Sequence, residues 1–213
     1  MKLKAFKTGV AKSLAALTFM VSALMAGSVV QAQQGYETLQ SPQRTANPEK
    51  IEVIEFFWYG CPHCFQFEPH ISEWAKNKPE NVDFITMAPP LNPAWKIHSQ
   101  AFYAAEVLGV LDQFHEPMFN AIHKDKKAMR KPKDIAKFAE TLGIDGDLFE
   151  KTMKSFAVDA KIRQSIQKAR DVGISAVPTV IINGKYSTSG SVAGSYPALI
   201  EVLNRLIAEE SAG

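Results

Sequence analysis

Cysteine is nearly absent from this sequence: its 213 residues include two, Cys61 and Cys64. Two neighbours so close together cannot form a disulfide framework. A surplus of one charge is also missing. There are 24 basic and 22 acidic residues, a formal charge of +2, which gives no support to nucleic-acid binding. There is no internal repeat and no low-complexity stretch. With 46% hydrophobic and 22% charged residues, the composition is that of a globular chain and excludes both intrinsic disorder and a multi-span membrane protein. The length fits one domain, or one domain with an insertion.

Acidic residues are absent from the first 32 positions, where Lys2, Lys4, Lys7 and Lys12 precede an apolar stretch from Leu14 to Val30 and the small-residue ending Val30-Gln31-Ala32. This is the pattern of a secretory signal peptide cleaved after Ala32. An uncleaved anchor is the competing reading, but the stretch is short for a span and Gly27 and Ser28 dilute it. No cysteine sits at the cleavage site, which excludes a lipoprotein. Removal of residues 1–32 takes away four lysines and no acid. That leaves 181 residues with 20 basic and 22 acidic side chains, a charge of −2. The mature chain is expected in an oxidising compartment, the periplasm, without stable membrane insertion.

Residues 33–49 read as a polar lead-in with one short edge strand. Lys50 to Tyr59 is β-branched and aromatic, as in a buried strand, and Gly60 ends it. From residue 62 to 77 the apolar positions Phe65, Phe67, Ile71, Trp74 and Ala75 recur at helical spacing. Pro62 sits in the first turn, where its missing N–H costs nothing, and Pro69 is expected to kink the helix. A second strand spans Asn81 to Met87. Helical signals follow near 94–108, 111–123, 132–142, 146–154 and 156–171, separated by Gly109, Pro132, Gly143 and Gly146. Thr179 to Ile182 returns to strand, Asn183-Gly184 marks a tight hairpin turn into Lys185–Thr188, and a last helix runs from Tyr196 to Glu209. The order is β-α-β, a helical block, then β-hairpin-α. The expected class is α/β, a thioredoxin fold with an inserted all-helical domain. Its first part is 33–93, the insertion 94–168 and the second part 169–213. The basic run from His123 to Lys133 reads as a solvated loop between helices, with a binding patch as the alternative.

Cys61-Pro62-His63-Cys64 admits four readings. A zinc site needs more ligands than the chain groups together, since no second cysteine pair exists and His70, His98, His115 and His123 show no tight ligand spacing. Covalent haem needs a histidine after the second cysteine, where Phe65 stands. A structural disulfide closing so small a ring removes little unfolded-chain entropy. The fourth reading, a redox-active pair between a strand and a helix, fits best. It needs no cofactor beyond the Cys61–Cys64 disulfide. At the N-terminus of the helix beginning near Pro62, free N–H groups and the dipole favour a Cys61 thiolate, and His63 adds a positive charge or a donor. A stabilised thiolate favours the reduced form, so the disulfide is an oxidant. Cys64, deeper in the helix, is the resolving thiol. Glu55 shares a strand face with Ile51, Val53 and Phe57. It reads as a buried acid handling the Cys64 proton, with a strand-end residue reaching solvent as the alternative. Glu68 reads as exposed helix surface that tunes the thiols weakly at most. Phe57, Trp58 and Phe65 read mostly as core, with an apolar groove for unfolded substrates as the alternative.

The stretch Phe56-Phe-Trp-Tyr-Gly-Cys-Pro-His-Cys-Phe-Gln-Phe-Glu68 closely resembles the active site of the DsbA family of periplasmic disulfide oxidoreductases, and the resemblance extends over the whole mature chain. It implies a nucleophilic Cys61, a buried Cys64, a buried acid at Glu55, and a cis-proline loop at Val177-Pro178 packed against the disulfide. Through that loop the Val177 main chain would dock substrate in strand-like fashion. The implied partners are reduced, unfolded secreted proteins and a DsbB-like membrane quinone reductase for reoxidation. A monomer is expected. Two alternatives stand beside the oxidase. One is an isomerase or reductase of the same fold, although the 28 residues between Ala32 and Cys61 leave no room for the large N-terminal dimerisation domain of DsbC-like isomerases. The other is a non-catalytic periplasmic peptide-binding chaperone with a vestigial disulfide.

Overall fold

Strand β2 (Ile51–Phe56) is buried at all six positions and forms the axis of the molecule. A run of Ile, Val and Phe on both strand faces can be buried only between two layers, and β2 lies within such a sandwich. The computed structural model describes residues 34–212, so the signal-peptide expectation for residues 1–32 lies outside the described residues. Beside β2, strand β3 (Val82–Met87) pairs in parallel, with Ile51 opposite Val82 and Phe56 opposite Met87. Helix α1 (Pro62–Asn77) makes the crossover and continues through Pro69 without ending there. Strand β4 (Thr179–Ile182) lies antiparallel on the other side of β2, with Glu55 opposite Val180. Strand β5 (Tyr186–Thr188) follows, and then β1 (Glu37–Thr38) at the edge, so the five-stranded order is β1-β5-β4-β2-β3.

The β4–β5 connection is a turn in which both Asn183 and Gly184 have positive φ, 49° and 61°, and the Lys185 N–H donates to the Ile182 carbonyl at 2.9 Å. This is the geometry the Asn-Gly pair favours. A Cβ on Gly184 would stand 2.2 Å from the Gln43 carbonyl oxygen, so the lead-in also passes too close for any other residue.

Between β3 and β4 come α2 (Lys96–Val107), α3 (Leu111–His123), α4 (Pro132–Thr141), α5 (Gly146–Met153) and α6 (Phe156–Asp171). After β5 come a short α7 (Gly190–Ala193) and α8 (Tyr196–Ser211). Three packed clusters organise these elements. Phe67, Ile71 and Trp74 of α1 join Leu199, Leu203 and Leu206 of α8 against Val53, Val180 and Ile182 on one sheet face. Ala169 and Val172, at the end of α6, cover Ile54, Phe56 and Ile181 on the opposite face. The third cluster is the interior of the helices α2–α6, with Phe102, Phe114, Phe119 and Phe149, and it also takes in Phe57, Tyr59, Cys61 and Cys64. The cysteines thus lie where the sheet's central strand runs into the helical interior. Among the described residues, no helix is long and apolar enough to cross a membrane.

Candidate active site

The chain leaves β2 at Phe56 and reaches α1 six residues later, and the turn between them sets the cysteines. Cys61 is the N-cap of α1, with extended backbone (φ −85°, ψ 117°), and its Sγ accepts the Cys64 N–H at 3.4 Å. Its own N–H donates to the Trp58 carbonyl at 3.0 Å, and its carbonyl accepts the Phe65 N–H at 3.1 Å, the first bond of the helix. A sulfur at the N-cap thus takes the place usually filled by a Ser or Asp oxygen, facing N–H groups with no partner inside the helix. Pro62 occupies the first turn, and both Pro62 and His63 are exposed.

The two thiols are held apart electrostatically. The Cys64 thiol hydrogen-bonds to the Cys61 sulfur. With the backbone N–H groups of Cys64 and His63 and the charge of His63, it brings the Cys61 thiol down to about 6, against the upward push of burial. For Cys64, which is fully buried, desolvation comes first, followed by the hydrogen bond to Cys61 and the charges of Cys61 and Glu55. Together they drive its thiol far above the ordinary range. Both cysteines are free thiols in this structure.

Val177 and Pro178 stand opposite. The peptide bond between them is cis, and the Cys61 Sγ–H donates to the Val177 carbonyl at 3.5 Å, joining positions 116 residues apart. This loop, with Thr179, His63 and Tyr196, borders a cavity of about 650 Å³. The Tyr196 hydroxyl closes one wall by donating to the His63 carbonyl at 3.0 Å.

Beneath the cysteines lies Glu55, 2% exposed, next to the C-terminal end of the fully buried β2. Burial, then the charge of Glu68, pushes its carboxyl well above the ordinary range, which favours the protonated form. Glu68 is a correction to the sequence reading, which gave it to exposed helix surface. It is 6% exposed, accepts a hydrogen bond from Ser72 Oγ, and lies 3.3 Å from His115 Nε2. Burial pushes Glu68 up, but His115 and the Ser72 hydroxyl outweigh it and hold the carboxyl below its usual value. His115 Nδ1 in turn lies 2.8 Å from the Tyr59 hydroxyl. Glu55, Glu68 and His115 all border one cleft of about 550 Å³ between the sheet and the helices.

All seven residues singled out in the sequence, Glu55, Cys61, Pro62, His63, Cys64, Val177 and Pro178, converge on this place. The sequence reading missed Tyr59, Glu68, His115 and His123. His115 and His123 lie eight positions apart on α3, and nothing local marks them as facing a strand end more than fifty residues away. Phe57 is core, whereas Trp58 and Phe65 are only partly buried. Among the described residues, no group of three or more His, Cys, Asp or Glu is arranged to hold a metal ion.

A family model described as a DSBA-like thioredoxin domain matches residues 52–197. The chain is 37% identical over 198 residues to the thiol:disulfide interchange protein DsbA of Burkholderia cepacia, covering 89% of this chain and 93% of that one. It is 41% identical over 175 residues to the protein of the same name from Azotobacter vinelandii, covering 82% of each. The crystal structure of Pseudomonas aeruginosa DsbA superposes with a TM-score of 0.80 at 36% identity, covering 84% of this chain and 93% of that one.

Proposed function

The chain belongs to the DsbA-like thioredoxin family, and on that premise we propose that this thiol:disulfide oxidoreductase is a disulfide donor acting on reduced polypeptides in the periplasm. The observation that carries the reading is the split between the two thiols. Cys61 is brought down to about 6 while Cys64 is driven up, within one helical turn. A thiolate stabilised in the reduced protein makes the disulfide a better oxidant, because reduction gains that stabilisation.

The steps follow from the positions of the residues. A substrate thiolate attacks Cys61 Sγ of the Cys61–Cys64 disulfide, the S–S bond breaks, and the electron pair leaves on Cys64. Glu55, the buried acid whose charge is felt at Cys64, supplies the proton that Cys64 takes. The substrate is then held to Cys61 by a mixed disulfide. Its second thiolate attacks its own sulfur in that bond, and Cys61 leaves as the thiolate that the helix N-terminus favours. Two electrons have passed to the protein, the substrate carries a disulfide, and its two thiol protons have been released. The Val177 main chain beside cis Pro178 docks the substrate as an extra strand. Pro62 starts the helix and His63 supplies charge near the nucleophile. The pair serves as its own redox cofactor, without a metal. Reoxidation falls to a DsbB-like quinone reductase in the membrane, and the protein acts as a monomer. We assign residues 1–32 as a cleaved signal peptide and the helices between 94 and 168 as an insertion in the thioredoxin-like parts 33–93 and 169–213.

Two measurements test the reading. Thiolate absorbance of the reduced protein should titrate with a midpoint well under the ordinary thiol value of about 8.5; an unshifted midpoint overturns it. Equilibration with glutathione should give a potential well above that of thioredoxin, about −270 mV. A potential near that figure would assign the chain to the reductases.

A further inference from the structure

The segment from Lys124 to Lys133 carries Lys124, Lys126, Lys127, Arg130, Lys131 and Lys133 against one acid, Asp125, on a mature chain that is otherwise acidic. All six cationic residues are exposed. A solvated loop would follow the cheapest backbone path, but this one does not. Lys126 and Met129 have φ of 58° and 45°, and with Asn183 they are the three non-glycine residues of positive φ among the described residues. Such conformations are unfavourable for a residue with a Cβ and persist only where the surroundings hold them. Two histidines do the holding. The His123 Nε2–H donates to the Tyr59 carbonyl at 2.7 Å, and the His98 Nε2–H donates to the Met129 carbonyl at 3.1 Å. The basic segment is therefore fastened to the chain just before Cys61.

Between this segment and the active-site turn lies a cavity of about 680 Å³, bordered by Trp58, Gly60, Ile97, His98, Lys126 and Arg130 among others. Trp58 stacks on Trp95 with ring centroids 4.4 Å apart and planes within 5°. Its ring fills the space that a Cβ on Gly60 would need, 2.3 Å away, so glycine there lets the indole lie against the turn. Two buried polar atoms on these walls have no hydrogen-bond partner within the protein, the Trp58 indole N–H and His98 Nδ1. His98 is 6% exposed, and burial brings its imidazole down to about 4, so the ring is neutral. Its Nε2–H is committed to Met129, which leaves Nδ1 as an acceptor. Neither atom reaches the surface, so what the cavity presents is the aromatic wall of Trp58 beneath a rim of cations. Gly60, on its wall, precedes Cys61.

We propose that this cavity is a substrate subsite for an acidic segment adjoining the reacting cysteine of a polypeptide. The segment's carboxylates face Lys126, Lys127 and Arg130, and its chain lies against the Trp58 ring. This assignment rests on the exchange chemistry above and adds a preference among its substrates. Opposite charges across a partly exposed rim favour encounter more than tight binding, and salt screens them.

The test uses two synthetic peptides with the same cysteine pair, one flanked by glutamates and the other by glutamines, oxidised by the disulfide form of the mature protein. The glutamate peptide should react about threefold to tenfold faster at low ionic strength. That advantage should shrink in 0.5 M salt, roughly a Debye length of 4 Å. A Lys126→Gln/Arg130→Gln variant should lose the preference and oxidise the two peptides at equal rates. Trp58→Phe, which replaces the indole wall by a smaller phenyl ring, should slow both peptides. Equal wild-type rates, or a preference that survives in the double variant, overturn the subsite. Oxidation of neither peptide would instead sink the exchange reading, so the two failures are distinguishable.

Discussion

The upper and lower sides of one helical turn give opposite answers to the same question. Above it, Cys61 faces N–H groups, His63 and a main-chain loop, and its sulfur is comfortable with a negative charge. Below it, Cys64 and Glu55 are buried where a charge loses its hydration, and both are pushed toward their protonated forms. The chemistry of the two sulfurs is identical, so the difference comes from the surroundings alone. An attacking thiolate needs the first environment. A proton held until the second thiol departs needs the other. Glu68 and His115 show that the lower side is not simply apolar, since a charged carboxylate survives there where an imidazole lies 3.3 Å away.

The largest effect that could break this comparison comes from exchanging the cysteines. Cys61→Ser should abolish both oxidation and mixed-disulfide formation. Cys64→Ser should still trap substrate on Cys61, seen as a covalent adduct on non-reducing gels. Adducts of equal yield from both variants would erase the distinction between the two sides. Next comes His115→Ala. It leaves Glu68 buried without its partner and should cost about 3 kcal/mol in urea unfolding at pH 7. A loss under about 0.5 kcal/mol would mean that the lower side tolerates charge after all.

Glu55→Gln should slow the step that protonates Cys64 by on the order of tenfold in stopped-flow mixing at neutral pH. The same change removes a carboxyl whose folded-state value is raised. Melting temperature should therefore rise at pH 7, where the folded protein bears the burden of a group that ionises readily when unfolded. It should hardly change at pH 4, where the group is protonated in both states. The smallest effect is the pH slope of the reduced protein. The folded-state value of Cys61, about 6, lies below the reference of 9.0. The thiolate therefore stabilises the fold fully above pH 9 and loses that contribution as the pH falls through 6. At pH 7 it amounts to on the order of 1 kcal/mol. Cys61→Ser should remove this slope from unfolding measured in reductant between pH 5.5 and 9.

Much of this was legible in one dimension. The helices between residues 94 and 171 are punctuated by Gly and Pro, and their observed limits lie within a few residues of that punctuation. Asn183-Gly184 specified its turn because a pair with φ > 0 has few residue choices. Glu55 stood out because a carboxylate on an apolar strand face is a local contradiction. Glu68 did not, since an acid among helical polar residues is ordinary, and only the packing of α3 against α1 buries it. Nor could the basic run show that it is tied to the strand end. Both fastening bonds, from His123 to Tyr59 and from His98 to Met129, span more than thirty residues.

The sequence by itself determined the order of elements and the pairing of two cysteines at a strand-to-helix junction. These follow from periodicity, turn chemistry and spacing, all of which act between near neighbours. The tertiary structure alone decided which groups face those cysteines: the Val177 carbonyl above, Glu55 with Glu68 and His115 below, and a cationic wall beside Trp58. Electrostatic environment depends on distance through space and on burial. Neither is a property of any residue until the chain has closed around it.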